Sequence, residues 1–138
     1  MSSGSTDTVQ VVTAITATEL TIGSEVPDTT LAEIIRRVES SGVEIDGLWS
    51  AAGLHGNEVH LVLQRTADSD SRLAQAGLHI GSSQDIVLVD FEDRPGAAAE
   101  IIRRLTDAGV RVSSAQLATN SRMVIVSDDP NGATHVLQ

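Results

Sequence analysis

Ala32-Glu33-Ile34-Ile35-Arg36-Arg37 recurs as Ala99-Glu100-Ile101-Ile102-Arg103-Arg104, 67 positions later. In the same register Gly42-Val43 falls over Gly109-Val110, so eight of the twelve positions from 32 to 43 are identical. A chance likeness between two helices would stop at their ends, whereas here the flanking segments match as well. Duplication of a unit of about 67 residues is therefore the reading that most limits the fold. A chain of 138 residues has room for two such units and little else.

Each unit reads alike. Leu31, Ile34, Ile35 and Val38 fall at i, i+3, i+4 and i+7, and Ala98, Ile101, Ile102 and Leu105 fall on the matching positions. Each set makes one apolar stripe for packing on a sheet. Glu33/Arg37 and Glu100/Arg104 are i,i+4 pairs, Thr30 with Glu33 is a capping box, and Gly42 and Gly109 are placed to end the helices. β-prone stretches follow at 43–49 and 110–117, then turns at 52–57 and 119–121, then strands at 59–63 and 123–126. Second helices are predicted at 69–76 after Asp68 and at 130–137 after Asp129, with Pro130 in the first turn. Strands at 19–22 and 86–91 precede the first helices, and 78–80 closes the first unit.

That order is the split βαβ, ferredoxin-like βαββαβ arrangement: an α+β fold with antiparallel sheets and helices on one face. The second repeat lacks a closing strand, yet 11–15 aligns with 78–82 at the same offset. The expectation is that this N-terminal strand fills the vacant edge of the second unit, since an unpaired edge invites aggregation. The division expected is a disordered tail at 1–8, a first unit at 16–82, and a second unit at 83–138 completed by strand 9–15, the two intertwined.

Composition removes several functions. Nine Arg, no Lys and 19 acidic residues give a net charge of −10. Such a chain lacks the cationic footprint for nucleic acid and is repelled by anionic membranes. Trp49 and Phe91 are its only aromatics, too few for a base-stacking platform. Without Lys there is no Schiff base; without Cys there is no thiol nucleophile and no thiolate metal site. The absence of Cys fits a reducing compartment, the cytoplasm, and residues 1–8 show no signal peptide.

Asp90-Phe91-Glu92-Asp93-Arg94-Pro95-Gly96-Ala97, followed by Ala108-Gly109-Val110, resembles the ACT domain. The family's hallmark is Asp-Arg-Pro-Gly between first strand and first helix, then a Gly-Val turn into the second strand. Residues 9–138 as a whole look like a tandem ACT pair, with the permuted strand order of the regulatory region of aspartokinases. Val12-Thr13-Ala14-Ile15, Glu19-Leu20-Thr21-Ile22-Gly23 and Val43-Glu44-Ile45-Asp46 are similar to that region too. The first repeat departs from the pattern: Pro27-Asp28-Thr29-Thr30-Leu31 lacks the loop glycine, and Trp49-Ser50 replaces polar residues.

The resemblance implies a non-catalytic, amino-acid-binding regulatory module. It implies a homodimer that senses an effector where units or subunits meet and signals to a partner enzyme such as an aspartokinase. The ligand-binding residues it implies are Asp93, Arg94, Pro95, Gly96 and Ala97, with Val110, Arg111 and Val112 at the start of the second strand. Asp28 and Thr29 are the matching candidates in the first repeat. Physically, Gly96 allows close backbone approach, helix-start N–H groups donate to a carboxylate, and Asp93 pairs with an amino group. The plainer reading of the same loop is a strand-to-helix turn with a Pro-Gly bend, and of Asp28 and Thr29 a helix cap.

No spacing of His55, His60, His79 and His135 suggests a metal site, and no cofactor is expected. Asp68/Asp70 and Asp128/Asp129 sit where helix starts favour carboxylates, and no serine lies in a Gly-x-Ser-x-Gly elbow. Trp49 reads as an apolar contact on a strand. A ferredoxin-like dimer that binds protein through decayed ligand loops competes with the sensor; an acid/base enzyme would need a His–carboxylate cleft that nothing indicates.

Overall fold

The computed structural model describes residues 8–24, 28–53 and 56–138. Residues 1–7 of the expected tail, Pro27 in the first loop, and residue 54 with His55 lie outside the described residues. The turn predicted at 52–57 is tighter than expected, since Ala52 pairs with Asn57 and Gly53 with Gly56 in the ladder. The chain is α+β, with six strands and four helices in the order β1 (Val11–Ser24), α1 (Leu31–Ser40), β2 (Gly47–Gly53), β3 (Gly56–Leu63), α2 (Ala67–Gln75), β4 (Leu78–Phe91), α3 (Ala97–Asp107), β5 (Val112–Thr119), β6 (Arg122–Ser127) and α4 (Pro130–Leu137). None of these helices is long and apolar enough to cross a membrane.

The chain divides into two compact units, one of residues 17–84 and the other of 1–16 with 85–138. In the first the strands are hydrogen-bonded in the order β2-β3-β1-β4; in the second the order is β1-β4-β6-β5. β1 and β4 thus give a different stretch to each unit. Both strands are 14 residues long, and their starts and ends are offset by 67.

Sequence reasoning gave β1 and β4 as two strands each. Thr16, Ala17 and Thr18 hold no turn signal, so nothing stops the extended backbone there; Gly81-Ser82 is a turn-type dipeptide, yet β4 runs through it because its neighbours in the sheet supply the ladder. The predicted strand 43–49 begins only at Gly47. Val43 and Ile45 are apolar because they anchor an extended link to the core, and the ladder starts where Gly47 pairs with Val62.

In the unit 17–84, Leu20, Ile22, Val59, Leu61 and Leu63 from the strands meet Ile34, Val38 and Leu73 from α1 and α2. In the other, Val87, Val89, Phe91, Met123 and Ile125 meet Ile101, Leu105, Ala133 and Leu137 from α3 and α4. The period-2 and period-3.6 patterns therefore converge on one core per unit, each fully buried Ile or Leu stabilising by roughly 1.5–3 kcal/mol. α1 starts at Thr30, whose hydroxyl accepts the Glu33 N–H at 3.2 Å. α1 and α3 are followed by Gly42 and Gly109 at φ +75° and +84°, the left-handed geometry that ends a helix.

The N-terminal segment is fastened to the unit that contains α3. Val9 is 2% exposed and joins its core. The Val9 N–H donates to Glu100 Oε2 at 2.9 Å, Arg104 donates to the Val9 carbonyl and to Glu100, and the Glu92 N–H donates to the Gln10 carbonyl at 2.9 Å.

Candidate functional site

The loop between β4 and α3 begins where β4 stops at Phe91 and Pro95 removes a donor, so that neither ladder nor helix continues through it. Gly96 is the N-cap of α3 at φ +80°, and with no side chain it leaves the first turn without a side-chain cap. Ala97 N–H closes a turn onto the Arg94 carbonyl at 3.1 Å, and Glu100 N–H reaches the Gly96 carbonyl at 3.1 Å. A Cβ built at Gly96 would meet nothing, so the backbone there is open to an incoming group. Asp93 and Pro95 are exposed, Ala97 is buried, and Arg94 lies 3.5 Å from Glu92 Oε1. The loop therefore offers an exposed carboxylate beside uncapped helix N–H groups, a pairing suited to a zwitterion.

At the base of the loop Arg122 binds Asp90 through two nitrogens at 2.7 and 3.1 Å. That guanidinium, offset in part by burial, holds the Asp90 carboxyl below its ordinary range, with Thr13 Oγ1 a further donor at 3.4 Å.

Val110, Arg111 and Val112 stand at the other end of α3. Its eleven residues span about 16 Å. β5 pairs Val112 with Ser127 and Thr119 with Arg122, so the start of β5 lies away from the Asp90–Arg122 end of the sheet. Within one chain the loop and the start of β5 do not meet. Val110 is buried and donates to the Leu105 carbonyl at 2.9 Å; Arg111 is exposed, its backbone fixed to Asp128. Of the nine arginines, Arg111 alone has no ion pair among the described residues.

In the first repeat Asp28 is exposed at φ +63°, and Thr29 Oγ1 donates to Ser24 Oγ at 2.9 Å. Arg37 reaches both Ser24 and the Gly77 carbonyl. These side chains fasten the loop to its own unit.

Two features escaped the sequence. Trp49 stacks on His60 across β2 and β3, a pairing that follows from reflecting residues about the predicted turn at 52–57. A largely apolar cleft of about 170 Å³ between α3 and β5 is lined by Ala98, Ala99, Ile102, Ala115, Leu117 and Met123, with Gln116 the one polar residue. Ala98 and Ile102 belong to the α3 stripe but stay only partly buried, which the pattern of apolar positions does not reveal. Among the described residues no three His, Asp or Glu side chains gather as metal ligands.

No protein-family profile matches the chain, and no curated protein matches it by sequence. Solved structures do match. A protein from Bacteroides thetaiotaomicron superposes with a TM-score of 0.70 at 20% identity, over 90% of this chain and 88% of that one. The regulatory subunit of aspartate kinase from Thermus thermophilus gives 0.58 at 15% identity, over 95% and 97%. A putative C-terminal regulatory domain of aspartate kinase from Porphyromonas gingivalis gives 0.52 at 18% identity, over 94% of each. The chain has the fold of the ACT-type regulatory region of aspartate kinases.

Proposed function

We propose that this chain is a tandem ACT protein of the cytoplasm: a non-catalytic regulatory module that binds an amino-acid effector and signals to a partner enzyme, an aspartokinase-type kinase being the first candidate. The observation that carries the reading is the loop from Asp93 to Ala97, with its uncapped helix start, open Gly96 and exposed Asp93, on the fold of a kinase regulatory region. Bound there, an effector's carboxylate meets the helix N–H groups and its ammonium meets Asp93.

The separation of about 16 Å along α3 makes the second half of the site the contribution of another copy. In that arrangement Arg111, which has no ion pair among the described residues, supplies a cation to the carboxylate. β5 supports a homodimer: it is a sheet edge without a charged residue or Pro, and Leu117 beside the apolar cleft is 54% exposed. An effector seated across two subunits shifts their equilibrium by its differential affinity for the two arrangements, and a partner enzyme reads the result.

The test is equilibrium dialysis of the purified chain against each of the twenty amino acids, repeated with Gly96→Val. Saturable binding of one or a few, lost in the variant, is expected. Binding of none removes the sensor. The competing reading, a dimeric interaction module with decayed loops, is favoured at the first repeat, where Thr29–Ser24 and Arg37 close the loop on itself. It predicts capture of the partner that Gly96→Val leaves intact.

A further inference from the structure

In the unit of residues 17–84, His60 lies at the centre of a cluster that effector binding does not use. Its ring stacks on Trp49, the centroids 5.6 Å apart and the planes 3° from parallel. Nδ1 lies 3.3 Å from Glu19 Oε2 and 3.5 Å from Thr21 Oγ1, and Nε2 lies 3.7 Å from Glu58 Oε2. Gln84 donates to the same Glu19 oxygen at 3.3 Å. The His60 and Glu19 side chains are 17% and 12% exposed. β1 thus brings Glu19 to the imidazole and β3 brings Glu58; β2 adds the uncharged Trp49, and β4 the uncharged Gln84. Among the described residues, these two carboxylates are the charged groups that face the ring.

A carboxylate only accepts hydrogen bonds, and neutral imidazole carries a single N–H. With a carboxylate at each ring nitrogen, the neutral form turns one lone pair toward an anion. The imidazolium has a donor for Glu19, sets its charge 3.7 Å from Glu58 Oε2 and faces the indole, a favourable cation–π arrangement.

We propose that His60 is a proton-operated latch on this sheet. Protonated, it ties Glu19 of β1 to Glu58 of β3 beneath Trp49. Neutral, it holds one of the two carboxylates, and its stack with Trp49 on the edge strand β2 loosens. The unit therefore exists in two proton-linked states, whether or not an effector binds at the Asp93–Ala97 loop.

Trp49 is the only tryptophan, so its emission in the full chain reads the latch directly. Between pH 8 and pH 5, the range in which histidine changes charge, the emission is expected to change in step with the His60 imidazole proton shift followed by NMR. That change is lost in His60→Gln and retained in His79→Gln and His135→Gln. In Glu58→Gln its amplitude is reduced, because a neutral amide no longer attracts the imidazolium. Emission that stays flat in the folded wild type, a change that persists in His60→Gln, or an undiminished change in Glu58→Gln overturns the latch. Should circular dichroism show His60→Gln unfolded, the emission of wild type and Glu58→Gln decides by itself.

Discussion

The backbone N–H of Val9 donates to the carboxylate of Glu100, 91 positions away, at 2.9 Å. This bond, with Arg104 on the Val9 carbonyl, fixes the segment that leads into β1 to a helix far along the sequence. Val9 itself enters the core.

Val9→Ala removes two buried methyl groups and leaves a cavity, at a cost of about 2 kcal/mol. Urea unfolding should show that loss with an unchanged slope. A variant as stable as the wild type would mean that the segment is not docked in solution.

Acid should destabilise the protein in a defined window. Hydrogen bonds from Arg36, then Arg37, lower the Glu33 carboxyl from 4.5 to about 2. Glu100 is held down first by the Val9 N–H and then by Arg104, and Asp70 by Arg65. A carboxyl depressed in the folded state contributes stability that is present above its unfolded value and lost as pH falls toward the folded one. Thermal midpoints should therefore drop between about pH 5 and pH 2, and Glu33→Gln should flatten the drop. An identical pH profile in that variant would remove Glu33 from the account.

Arg111→Ala should weaken effector binding roughly tenfold or more, the worth of a lost charge-assisted hydrogen bond. Arg111 is exposed, so the thermal midpoint should hardly move. Titration calorimetry with the effector found by dialysis checks the first statement, and a melt the second. Undiminished affinity would exclude Arg111 from the site.

Leu117→Lys places a charge on the exposed edge of β5. Sedimentation equilibrium should show the dimer shifted to monomer, with unfolding energy within about 0.5 kcal/mol of the wild type. A dimer that survives the substitution forms elsewhere.

Sequence reading reached what local chemistry determines. The stripes of α1 and α3, the glycines after them and Pro130 at the start of α4 are encoded within a few residues, and the elements stand there. It failed where a distant partner decides. β1 runs unbroken through residues 16–18, which carry no strand pattern of their own, because neighbouring strands supply the ladder. α2 begins at Ala67 with Thr66 as its cap, since Thr66 and Ser69 bond each other reciprocally; Asp68 sits inside the first turn. At the loop, the residues around Gly96 were legible as a motif. The 16 Å or so that divides them from Val110–Val112 follows from helix rise and was not.

The discontinuity of the unit formed by 1–16 and 85–138 has a consequence for biosynthesis. Residues 9–16 are made long before β4, α3 and β6, against which they pack. At translation rates of about 5–20 residues per second, that leaves them on the order of ten seconds with Val9, Val11 and Ala14 uncovered. The nascent chain must therefore shield this stretch, or be shielded by a chaperone, until those elements arrive.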